Sequence, residues 1–105
     1  MKSGAILVIT TTNSAADARD IAAHLLENKL AACAQILPVE SHFVWQGKVQ
    51  SENEFAVHIK APANKFEDLR QAICGIHSYD VPEIICLNIE GGHQPYLDWL
   101  HKVTK

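Results

Sequence analysis

The chain has 105 residues and 11.6 kDa, which is room for one domain spanning residues 1–105. With 48% hydrophobic and 20% charged residues it is no disordered chain, since disorder needs low hydrophobicity and high net charge. Nine Lys and Arg against twelve Asp and Glu give a net charge of −3 and a pI near 6.0, so no nucleic-acid partner is expected. No apolar run approaches the ~20 residues of a bilayer span, so no membrane partner is expected either. Met1-Lys2-Ser3-Gly4 leads into a strand-like run without the three-part pattern of a signal peptide. The expectation that follows is a cytoplasmic protein.

Taken in chain order, Ala5 to Thr12 is a short apolar run rich in β-branched residues and reads as a buried strand. Ser14 offers an N-cap, with Asp17 three residues on, and Ala18, Ile21, Ala22, Leu25 and Leu26 recur at helical spacing to about Asn28. Ala31 to Val39 is apolar, with Pro38 expected to break it or mark a bulge. His42 to Trp45 resumes as a strand and ends at Gln46-Gly47. Glu54 to Lys60 alternates, placing Phe55, Val57 and Ile59 on one face and Glu54, Ala56, His58 and Lys60 on the other. Asn64 is expected to cap a second helix with Glu67 at the capping-box position, Phe66, Leu69, Ala72 and Ile73 inward, and Gly75 at its end. Pro82 to Glu90 reads as a strand, Gly91-Gly92 as a turn, and Gln94 to Lys102 as a last, shorter helix.

This order is that of an α+β, ferredoxin-like split βαββαβ sandwich with an additional C-terminal helix. Two helices cover one face of such a sheet, and an antiparallel sheet with its second face in water shows polar residues there. The first strand is apolar on both sides (Ala5, Leu7, Ile9 and Ile6, Val8), and so is the last (Ile85, Leu87, Ile89 and Ile84, Cys86). The second face therefore needs cover, and another copy of the chain is the favoured source. The third helix folding across that face is the alternative.

Catalytic motifs are absent: no Gly-x-Ser-x-Gly, Walker loop, Cys-x-x-Cys or His-Glu-x-x-His occurs. A phosphatase resembling acylphosphatase would need an Arg in the loop after the first strand, and that loop is Thr11-Thr12-Asn13-Ser14. No enzymatic activity and no organic cofactor are expected. Cys33, Cys74 and Cys86 match no zinc spacing and read as reduced thiols, with Cys33 and Cys86 in apolar settings that suit a small buried side chain. Among the six histidines, His77 stands out for its company, His77-Ser78-Tyr79-Asp80-Val81-Pro82-Glu83. Imidazole with carboxylate suits Cu(II) or Zn(II), which want three or four ligands. Equally, such a loop can be braced by hydrogen bonds alone.

Four motifs in order, Leu30-Ala31-Ala32-Cys33, Trp45-x-Gly47-Lys48, His77-x-Tyr79-x-Val81-Pro82-Glu83-Ile84-Ile85 and Tyr96-Leu97-Asp98-Trp99-Leu100, resemble the CutA family of divalent-cation tolerance proteins over nearly the whole chain. The resemblance implies a cytoplasmic homotrimer of ferredoxin-like subunits involved in the response to divalent metal ions such as copper. It implies His77 and Glu83 as metal ligands, for Cu(II) or another divalent ion. The chain departs from the family pattern at Ser78, Asp80, Val44, Gln46 and Lys60-Ala61-Pro62, and Thr10 stands where some relatives place a cysteine proposed to bind copper. A trimeric small-molecule sensor in the manner of the PII signalling proteins is the second reading. It calls for basic residues and Gly-rich loops at a subunit cleft, which are scarce here. A structural trimer presenting a surface to another protein is the third. Trp45 and Trp99 are expected to be largely buried, at or near subunit contacts.

Overall fold

A computed structural model describes residues 3–105; Met1 and Lys2, part of the lead-in that the sequence reading takes as free of a signal pattern, lie outside the described residues. Among the described residues the order is β1 (Ala5–Thr12), α1 (Ala15–Glu27), β2 (Cys33–Trp45), β3 (Lys48–Pro62), a 3-10 turn (Ala63–Lys65), α2 (Phe66–Ile76), β4 (Ile84–Ile89) and α3 (Gln94–Val103). The four strands form one sheet in the order β2-β3-β1-β4, antiparallel throughout. This is the split βαββαβ arrangement with an added helix.

Alternation fixes which side chains meet α1 and α2. Ile6, Val8, Val57, Ile59 and Ala61 point to one face of the sheet and pack with Ala18, Ile21, Leu25, Leu69 and Ile73 in a single buried cluster. Each fully buried Leu or Ile there contributes roughly 1.5–3 kcal/mol of hydrophobic stabilisation. Ser14 caps α1 as expected, accepting a hydrogen bond from the Asp17 backbone N–H at 3.0 Å. Its far end closes in a Schellman pattern, with Leu30 N–H donating to Leu25 O (2.9 Å) and Lys29 N–H to Leu26 O (3.2 Å). Lys29 takes the left-handed conformation there, φ 56°.

Three expected boundaries move. Asn64 does not cap α2: it lies inside the 3-10 turn, and α2 starts at Phe66 without a side-chain cap. Glu67 instead pairs with Arg70 one turn on, at 2.6 Å. Gly75 does not end the helix, which runs through it to Ile76 and stops where His77 turns extended (φ −71°, ψ 140°). Pro38 neither breaks nor bulges β2. It pairs in register with Phe55 because β2 is an edge strand, where a missing N–H costs no ladder bond.

The largest difference lies in β3, which begins at Lys48, six residues before the alternating run that announced it. Gln46 and Gly47 both take positive φ (52° and 76°), the two-residue turn whose twist matches a hairpin. That turn zips the mostly polar Lys48–Asn53 onto Glu40–Trp45. Because β1 ends opposite Phe55, this part of the hairpin projects beyond the sheet as a two-stranded ribbon, and the described chain is 44 Å long but only 26 × 22 Å across.

On the second face α3 does fold down, as the alternative reading had it, but only at one end. Leu97 and Leu100 bury Ala5 and pack against Ala32 and Ile89. Beyond that end, Ile85 and Leu87 are 48% and 46% exposed, beside the half-buried Leu7 and Ile9.

Candidate functional site

His77 is placed by the end of α2, where its backbone N–H closes the last turn on Ile73 O at 2.9 Å. Its extended backbone then swings the imidazole toward the C-terminal end of β1. Ring Nε2 lies 2.8 Å from the Thr11 carbonyl oxygen, and Nδ1 lies 3.0 Å from the backbone N of Tyr79. A carbonyl can only accept and an amide can only donate. The proton therefore sits on Nε2, and Nδ1 accepts from Tyr79; the ring is neutral and both nitrogens are engaged. The Tyr79 ring tilts against it, with centroids 4.8 Å apart.

Tyr79 extends the network. Its hydroxyl donates to Glu54 Oε2 at 2.7 Å, and Glu54 is a buried carboxylate on β3 where the ribbon leaves the sheet. Burial, then the Glu54 carboxylate, push the Tyr79 phenol well above the ordinary tyrosine range. Glu54 is the member that the sequence reading missed. It was assigned only to a strand face, and its partner lies 25 residues away, beyond any local spacing signal.

Glu83, the second expected ligand, is exposed just before β4. Among the described residues no group of three or more His, Cys, Asp or Glu side chains is placed to hold a metal ion. Thr10, at the position of the relatives' proposed cysteine ligand, is fully buried on the helix-covered face, and its hydroxyl has no hydrogen-bond partner among the described residues. With both imidazole nitrogens in use, the donor set of one chain does not fit a divalent ion at His77 and Glu83.

Beside the loop lies an open cleft of about 300 Å³, lined by Thr12, Asp17, Asp20, Ile21, His24, Ile76, His77 and Ser78. Two acidic residues on its wall oppose a polyphosphate ligand. The cysteines are free, but Cys33 is half-buried and Cys74 and Cys86 are exposed, so the buried setting expected for Cys86 is not met within the chain. Trp45 and Trp99 stand 53% and 41% exposed in the single chain, so the burial expected of them at or near subunit contacts would have to come from another copy. Trp45 flanks the ribbon turn, and Trp99 packs against Tyr96 with the rings tilted by 41° and their centroids 5.4 Å apart.

The sequence pattern of the family described as CutA1 divalent ion tolerance protein matches residues 6–103. The divalent-cation tolerance protein CutA of Archaeoglobus fulgidus is 39% identical over 98 residues, 93% of this chain and 96% of that protein. Its solved structure, described as a periplasmic divalent cation tolerance protein, superposes with a TM-score of 0.94 at 38% identity, over 96% of this chain and 99% of that one. The chloroplastic CutA protein of Arabidopsis thaliana is 40% identical over 95% of this chain, which spans 56% of that longer protein. These relatives correct the cytoplasmic expectation. The same domain is described as periplasmic in one and chloroplastic in another, so a lead-in without a signal pattern does not fix a compartment. With the family pattern matched from β1 to α3 and the fold superposing over nearly its whole length, the chain belongs to the CutA family of divalent-cation tolerance proteins.

Proposed function

We propose that the protein works as a homotrimer in the response to divalent metal ions, copper(II) among them, without catalysing a reaction. Family membership along residues 6–103 is the observation that carries this reading. The half-exposed apolar stripe of Ile85 and Leu87 supports the assembly, since it is an apolar surface that one helix fails to cover. Exposed Trp45 and Trp99 are suited to anchor subunit contacts, because large aromatics dominate interface energetics. Copper(II) or another divalent cation is the ligand class. In this reading its contacts come from more than one chain, since the described residues of a single chain form no ligand cage.

Calorimetric titration of metal-free protein with Cu(II), Zn(II) and a panel of nucleotides tests the reading. The expected result is heat from the cations and none from the nucleotides. Nucleotide binding without a cation response would replace it with that of a PII-like sensor.

A further inference from the structure

We infer that His77 is a latch and not a metal ligand. Its neutral imidazole holds the α2–β4 connection to two strands, and a divalent-cation response does not pass through it. A metal needs a nitrogen lone pair. In the Nε2–H tautomer imposed by the Thr11 carbonyl, the one in-plane lone pair is on Nδ1, and the Tyr79 amide occupies it. Coordination at Nδ1 would cost that hydrogen bond. Coordination at Nε2 would require moving its proton and turning the ring away from Thr11.

The bond that would be lost also positions something. The Tyr79 backbone held at Nδ1 is what aims the phenol at Glu54, and the tilted ring contact with His77 fixes the same side chain from its flank. His77 is thus a positioning residue. Through it the connection is tied to Thr11 at the end of β1, and through Tyr79 to Glu54 at the root of the ribbon. An imidazole suits this task because its two nitrogens present a donor and an acceptor on one rigid ring. Glu83 has no part in the latch, so the two residues that the resemblance pairs as ligands have separate roles in the chain.

The test uses the intact assembled protein and Zn(II), which is diamagnetic. Long-range ¹H–¹⁵N correlation of the imidazoles should show His77 as the Nε2–H tautomer, unchanged when Zn(II) is added to excess. His77→Ala should melt lower and lose exchange protection at the Tyr79 amide, while the affinities for Cu(II) and Zn(II) stay at wild-type values. A Zn(II)-induced shift of the His77 ring nitrogens would overturn the inference. So would a loss of about tenfold or more in cation affinity in a folded His77→Ala or His77→Gln protein. Should the variants not fold, the tautomer and its response to Zn(II) in the wild-type protein still decide. Wild-type protein that gives no heat with either cation counts against the proposed cation response, and the tautomer then judges the latch separately.

Discussion

The two faces of the sheet are built from the same strands and end in different states. On one, Ile6, Val8, Val57 and Ile59 meet α1 and α2 and are sealed from water. On the other, α3 seals only the end around Ala5 and Ile89, and Leu7, Ile9, Ile85 and Leu87 form a stripe that stays partly wet. The difference is one of coverage, since both faces carry aliphatic side chains on β1 and β4. Helices of 13 and 11 residues lie over the first face, against a single helix of 10 over the second. The first face holds the chain's own fold together, and the second is the surface that the proposed assembly would cover.

The comparison can be broken at several points. Leu69→Ala, in the sealed cluster, should cost about 2–5 kcal/mol of stability, read by chemical denaturation beside the wild type at one matched protein concentration. Leu87→Lys on the open face should instead act on assembly. A charge in a dry subunit contact costs several kcal/mol of association, so its mass should fall toward one chain. If Leu87→Lys keeps the wild-type mass and melting curve, the stripe faces solvent in the working protein. Trp45→Ala and Trp99→Ala should lower the melting temperature and make it more dependent on concentration, by about 1–2 kcal/mol or more per site.

Smaller effects sharpen the picture of the sealed face and of the latch beside it. Thr10→Val removes a buried hydroxyl with no partner among the described residues and should stabilise the protein by about 1 kcal/mol, seen as a raised melting temperature. Tyr79→Phe concerns alkaline pH. The phenol's pKa is raised in the folded protein, so the folded state holds this proton more tightly than the unfolded chain does. Stability is then complete below the unfolded value of about 10 and declines as pH rises above it. Melting scans from about pH 9 to about pH 11 should show a shallower decline in Tyr79→Phe than in the wild type.

Most of the fold was legible because its signals are local. β1 and α1 follow from a β-branched run, a serine cap and helical spacing, and all three sit within a few residues of where they act. The first half of β3 was not legible. Lys48–Asn53 has no apolar alternation, and its strand state comes from pairing with β2 across a Gln-Gly turn. Gly75 misled for the opposite reason: the packing of Leu69 and Ile73 carries α2 past a residue that favours stopping it. In the loop, the sequence brought His77 and Glu83 to notice by residue type. It could not show that the ring was already committed, because Thr11 lies 66 residues away in the chain. The exposure of Trp45 was hidden for the same reason as the ribbon that carries it, the mostly polar first half of β3.

The central claim is that the second face is completed by other copies of the chain, and the mass in solution tests it most directly. Light scattering behind a sizing column, at low micromolar concentration, should return three chain masses of 11.6 kDa each in one symmetric peak. A stable, folded species of one chain mass would contradict it, and would mean that the Leu87 stripe is left to water.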